Sequence, residues 1–236
     1  MEPRWKGKGF ADIANDNPMS EIIKRLQISF IQSKEPAQLS GCESLFEAGL
    51  DLADLLGRTC FGQPITTSSK DKQWFQFGPE ETFYLSYILK CLKILGEDGQ
   101  DINFENLWDH MKLKRENFPF LFKAYSHLRS KNWIVRPGLQ YGVDYVAYRH
   151  HPALVHSEYS VLVVTKNHPR LKVWSDWQSV VRVTGGVAKN LLVLSIDANH
   201  HDMNPSLQYL DKCTIDERLI TRWVPEHSRA ENNRQK

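Results

Sequence analysis

The sequence predicts an α+β fold, with a small α-rich amino-terminal domain ahead of a compact mixed α/β domain. Three observations carry that expectation. Apolar residues from Phe83 to Leu95 recur at helical spacing, those from 141 to 165 read as extended strands, and the two textures are segregated along the chain. The 236 residues, 41% hydrophobic and 25% charged, are enough to bury a real core. The expected division is a poorly defined region over 1–70, an α-rich domain over 71–119, the mixed α/β domain over 120–226 and a polar tail over 227–236.

Residues 1–70 offer weak periodicity and many turn formers, with short amphipathic pieces near 21–31 and 44–56. Trp74, Phe75 and Phe77 form a strand-like run. Pro79-Glu80-Glu81 supplies a helix start, with proline in the first turn and acids at the positive dipole end. Phe83, Tyr84, Tyr87, Ile88, Cys91, Ile94 and Leu95 continue at helical spacing until Gly96. Further helices are expected over 104–111 and 120–131, the latter presenting Leu121, Phe122, Tyr125 and Leu128 on one side.

Trp133-Ile134-Val135 turns to strand character, and Pro137-Gly138 signals a turn. Strands are expected over 141–149 and 157–165, before Asn167-His-Pro-Arg170 breaks the pattern. Ser175-Asp-Trp-Gln178 has the form of a capping box opening a helix towards Lys189. Gly185-Gly186 weakens that helix by about 1 kcal/mol per glycine. A buried strand is expected over 191–196 and a final strand, closed by Pro225, over 219–224.

Composition excludes several classes. No apolar run reaches the roughly 18 residues of a membrane span, and Lys90 and Lys93 interrupt the best candidate. An apolar signal core is missing around Trp5, so an intracellular protein is expected. Cys42, Cys60, Cys91 and Cys213 lie far apart without CxxC spacing, so buried reduced thiols are expected rather than a zinc site or disulfides. A net charge of +2 makes any contact with nucleic acid a local matter. Residues 140–189 hold six Lys/Arg against three acids.

The chemistry-bearing segment is Tyr141-Gly-Val-Asp-Tyr-Val-Ala-Tyr148, followed by His156-Ser-Glu-Tyr159 and later Lys189. A phenol, an imidazole and an ammonium can move two protons and stabilise a new negative charge. Taken singly, each residue has an ordinary reading: Tyr148 as sheet packing, like Tyr141, Tyr145 and Tyr159, His156 as a hydrogen-bonded loop residue, and Lys189 as a solvated cation near a helix end. Jointly, the Tyr-Gly-x-Asp-Tyr-x-x-Tyr…His-Ser-x-Tyr pattern resembles the catalytic domain of tRNA-splicing endonucleases over about 120–225. The preceding "ETFYLSYILKCLKIL…LW" resembles their smaller amino-terminal domain. The eight-residue step from Tyr148 to His156 is most similar to the eukaryotic subunit that cuts the 5′ splice site.

That resemblance implies a restriction-endonuclease-like catalytic fold and a catalytic triad of Tyr148, His156 and Lys189, with no metal and no cofactor. It implies attack of a 2′-hydroxyl on the adjacent phosphorus, leaving a 2′,3′-cyclic phosphate and a 5′-hydroxyl. Tyr148 would take the 2′ proton, His156 would protonate the leaving oxygen, and Lys189 would stabilise the transition state. A free imidazole titrates near 6.5, which suits the acid, whereas a free phenol near 10 suits a base only with help. Arg182, seven residues before Lys189, is expected on the same helical face. By resemblance it would sandwich a base with Trp223, a stack of about 1 to 3 kcal/mol.

The implied partners are precursor tRNA, a second catalytic subunit and two structural subunits, with the nucleus as location or alternatively the cytoplasm. His150, His151 and His156, or His200-His201, lack the cysteine or carboxylate company of a zinc site. Asp144 beside Glu158 lacks the acid-x-lysine element of metal-dependent nucleases, so Asp144 reads as structural. The competing reading is a non-catalytic scaffold or RNA-binding subunit of the same fold.

Overall fold

The computed structural model describes residues 3–66, 71–165, 173–187, 189–197 and 207–221. In chain order the first elements are α1 (Phe10–Asp16), α2 (Met19–Ser33), β1 (Ala37–Ser40), β2 (Glu43–Gly49), α3 (Leu50–Thr59), β3 (Gln63–Ile65) and β4 (Lys72–Phe77). Next come α4 (Pro79–Phe83), which runs into a π-helical turn (Tyr84–Ile88), then β5 (Ile94–Leu95), α5 (Phe104–Lys114) and α6 (Phe118–Ser130). The remainder is β6 (Ile134–Pro137), a 3₁₀ turn (Leu139–Tyr141), β7 (Tyr145–Tyr148), β8 (Tyr159–Thr165), α7 (Trp174–Gly186), β9 (Asn190–Asp197), α8 (Leu207–Lys212) and β10 (Thr214–Ile220).

The strands form two five-stranded sheets. The first has the order β3-β4-β2-β1-β5, and it draws strands from both sides of residue 70. The amino-terminal half is thus a helix-and-sheet unit, more β-rich than the sequence suggested. Residues 44–56 look amphipathic because an alternating strand, β2, runs directly into helix α3, whose Leu52 and Leu56 are buried. The helix expected from Pro79 to Leu95 stops at Ile88, where the π-helical turn ends. Ile94 then leaves the helical path to pair with Ala37 in a parallel bridge between β5 and β1. Apolar spacing alone cannot distinguish that exit from another helical turn.

The second sheet has the order β10-β9-β8-β7-β6, and only β8 and β9 run parallel, joined by the crossover that contains α7. One face, with Tyr145, Ala147, Val161, Val163, Leu192, Leu194 and Ile196, joins a core that includes Leu121, Phe122 and Tyr125 of α6. That core is continuous with the aromatic centre of the first sheet, around Phe30, Phe46, Phe77 and Phe83. The other face carries Val143, Leu162, Leu191 and Val193 under Trp177, Val180 and Val181 of α7. Arg129 of α6, 1% exposed, ties the halves together. It donates to the Thr59 carbonyl at 3.1 Å and the Cys60 carbonyl at 3.3 Å, capping the carboxyl end of α3, and lies 4.0 Å over the Phe61 ring.

Two local expectations change. Helix α7 begins at Trp174 behind Val173, without a side-chain cap, so Ser175 lies inside it and the capping box is not formed. Its glycines fall in the last turn, where they cost least. Among the described residues the last strand is β10, Thr214–Ile220, set by its antiparallel register with β9, so the strand expected from 219 begins earlier, and its positions 222–224 lie outside the described residues. Asn167–Arg170 and Trp223 lie outside the described residues, as do His200 and His201.

Candidate active site

Tyr148 ends β7, which is fixed from its start. Gly138 donates to the Asp144 carbonyl at 2.9 Å, and a Cβ on Gly138 would fall 2.8 Å from the Tyr145 carbonyl oxygen, so only glycine permits this close turn. Asp144 accepts from the Val163 amide at 2.8 Å, a structural role as expected. Alternation along β7 sends Tyr145 and Ala147 into the main core and Tyr148 to the other face, beside Ile134.

The Tyr148 phenol is half-buried. Burial pushes its pKa above the ordinary 10, a hydrogen bond with the Ser157 side chain opposes the rise, and the nearby Tyr141 hydroxyl adds to it. The phenol is therefore neutral near pH 7.

His156 is exposed on the loop between β7 and β8. Arg149 and Glu158 clamp the two ends of that loop through paired 2.8 Å bonds, with the Arg149 guanidinium 4.8 Å over Trp133. The Glu158 amide donates to the Ala147 carbonyl at 3.0 Å, and the Asn190 amide to the Glu158 carbonyl at 3.1 Å. These two bonds bring the end of β7 and the starts of β8 and β9 together.

Lys189 directly precedes β9, and its amide donates to the Thr184 carbonyl at 3.1 Å. Its ammonium lies 4.0 Å from the Tyr141 ring centroid, over the π face. Tyr148, His156 and Lys189 thus share one end of the second sheet. Parallel pairing of β8 with β9 is the reason, since it sets the starts of both strands side by side.

Arg182 is exposed on α7. It does not share a helical face with Lys189, because α7 ends at Gly186 and Lys189 lies beyond it. Sequence reasoning missed Tyr141, taken as packing, although its place at the head of the motif was a signal. It also missed Ser157, although that residue stands in the His-Ser-x-Tyr part of the motif, and the amino-terminal segment, in which nothing local marks a role.

Tyr148 lines a cleft of about 1020 Å³ that also touches Arg136, His151, Gln63 and Gln140. Burial lowers the His151 pKa, which favours a neutral imidazole there. His150 binds the Asn17 carbonyl and His151 accepts from the Ala153 amide. Among the described residues, no three His, Cys, Asp or Glu side chains are grouped to hold a metal ion. No described helix is long and apolar enough to cross a membrane.

Comparison with known proteins follows the same two-part division. Residues 36–108 match the amino-terminal domain of tRNA intron endonucleases, and residues 118–204 match their catalytic carboxyl-terminal domain. Over 235 residues the chain is 48% identical to tRNA-splicing endonuclease subunit Sen2-2 of Arabidopsis thaliana, covering 99% of this chain and 94% of that one. The chain belongs to the tRNA intron endonuclease family.

Within this endonuclease family its relatives include Sen2 subunits. A probable rice Sen2 is 45% identical, with 97% of this chain and 82% of that one aligned. Rat Sen2 is 29% identical over 171 residues, 68% of this chain but 36% of the rat protein. The catalytic match contains Tyr148, His156, Arg182 and Lys189 and ends before Trp223. Residues 3–35 precede both family matches.

Proposed function

We propose that this chain is the catalytic subunit of a tRNA-splicing endonuclease that cuts precursor tRNA at an intron boundary, the 5′ splice site. The reading is supported by Tyr148, His156 and Lys189 lying at one end of the second sheet, with the Lys189 ammonium over the ring of Tyr141, whose hydroxyl is near that of Tyr148. In this reading the 2′-hydroxyl attacks phosphorus, the bond to the 5′ oxygen breaks, and a 2′,3′-cyclic phosphate and a 5′-hydroxyl remain.

Tyr148 receives the 2′ proton, His156 protonates the departing 5′ oxygen, and Lys189 balances charge on the phosphoryl oxygens. A phenol with a pKa above 10 is ionised in less than about 10⁻³ of molecules at pH 7. The base step therefore draws on a minor protonation state, and positioning carries much of the rate. Arg182 and Trp223 hold a base flanking a cut, in this subunit's site or a neighbour's. A second catalytic subunit and two structural subunits complete the assembly, in the nucleus.

The test is His156→Ala in the assembled complex with an intron-containing precursor tRNA. Cleavage at one boundary should fall by about 10² to 10⁴, the usual contribution of a general acid, with the other cut retained. Wild-type product ends should carry the cyclic phosphate. Unchanged cleavage at both boundaries would leave a scaffold role in place of catalysis.

A further inference from the structure

The loop that presents His156 is held from outside by a part of the chain that precedes both family-matched domains. The Lys6 amide donates to the Leu154 carbonyl at 2.9 Å, and the His156 amide donates to the Arg4 carbonyl at 3.0 Å. Between these bonds Trp5 pairs with fully buried Val155 as an antiparallel bridge. The Arg4 guanidinium reaches the Ser157 carbonyl at 3.4 Å, next to the side chain that hydrogen-bonds Tyr148. A second tether runs from the His150 ring to the carbonyl of Asn17, beyond the end of α1, at 2.8 Å.

We propose that residues 4–6 form a strap that positions His156 for proton transfer, resting on the function proposed above. Within the loop, Leu154 and Val155 turn back onto the His151 carbonyl at 2.8 and 3.3 Å. That turn leaves the Leu154 carbonyl and the His156 amide facing the strap, which takes up both. The imidazole is exposed, so its backbone is what the fold can fix. A general acid displaced by about 1 Å can lose a factor near 10². The strap acts through main-chain bonds, a short strand addition of the chain onto itself. Arg4, Trp5 and Lys6 are positioning residues and touch no reacting atom.

Lys6→Pro removes the amide that binds Leu154, whereas Lys6→Ala removes only the side-chain charge and serves as reference. Both are compared in the full complex on intron-containing precursor tRNA, by single-turnover cleavage at saturating enzyme and by RNA affinity. Lys6→Pro should cleave at least about tenfold more slowly than Lys6→Ala at saturation, with RNA affinity within about twofold and His156 amide exchange accelerated. Equal saturating rates would overturn the strap, as would a loss confined to RNA affinity. If Lys6→Pro fails to fold, deletion of residues 3–8 under the same two readouts decides. His156→Ala in parallel separates the two ideas: if it leaves cleavage intact, the catalytic reading fails before the strap is judged.

Discussion

The two five-stranded sheets are built from similar parts and do different work. Each contains one parallel pair among antiparallel neighbours. In the first, β1 and β5 pair over two positions, and both Ala37 and Ile94 are buried. Its centre is aromatic: Phe83 alone contacts Tyr87, Trp108, Phe118 and Phe122 at centroid distances of 4.9 to 5.9 Å. In the second, β8 and β9 pair over seven positions, and exposed His156 and half-buried Lys189 lie beside their starts. A parallel pair offers a candidate site where its strand starts lie near the surface and yields packing where they are covered.

Arg129 tests that division most severely, because it belongs to the packing side. Its guanidinium satisfies the last carbonyls of α3 and, with Arg136, opposes the rise that desolvation gives the pKa of half-buried Glu81. Arg129→Ala should lower unfolding free energy by about 2 to 5 kcal/mol in denaturant titration, since the Thr59 and Cys60 carbonyls lose their buried donor. Loss of cleavage with unchanged stability would place Arg129 in the site instead.

Alkaline pH should likewise strike the first region. Burial pushes the Cys60 thiol from an ordinary 9.0 to about 11 and the Cys91 thiol to about 12. Above pH 9 the unfolded thiols release protons that the folded ones retain, so stability falls as pH rises towards those values. The slope is about 1.4 kcal/mol per pH unit for each thiol. Thermal melts from pH 8 to 11 should show it, and a Cys60→Ala, Cys91→Ala double variant, less stable at pH 8, should show a shallower decline.

Tyr141 sharpens the comparison from the other side. Tyr141→Ala removes the π face beneath Lys189, worth about 0.5 to 1 kcal/mol, so single-turnover cleavage should slow by about two- to fivefold. Tyr141→Phe keeps the ring and should restore most of that loss. If both variants slow equally, the hydroxyl near Tyr148 matters and the ring does not.

Much of this was legible in the sequence. Helices α5 and α6 and strands β8 and β9 follow from period and apolarity, because each buries a face against a continuous core. The residue types of the site were legible as a spaced pattern. The break at Ile88 was not, since Ile94 satisfies helical spacing and strand pairing equally well. Nor was the separation of Arg182 from Lys189, because a glycine pair at a helix end reads as a weak helix until the end is located.

The sequence alone determined the chemistry available: a tyrosine, a histidine and a lysine carried on strand ends and loops, with enough apolar alternation to bury two sheets. Tertiary structure decided the neighbours. It set β9 beside β8, Tyr141 under Lys189, Arg129 against the end of α3, and residues 4–6 along the His156 loop. These contacts join segments far apart along the chain, up to 153 positions in the case of Arg4 and Ser157. Local periodicity encodes which face a residue presents, while the partner it meets depends on strand order and register, which are fixed only when the whole core closes.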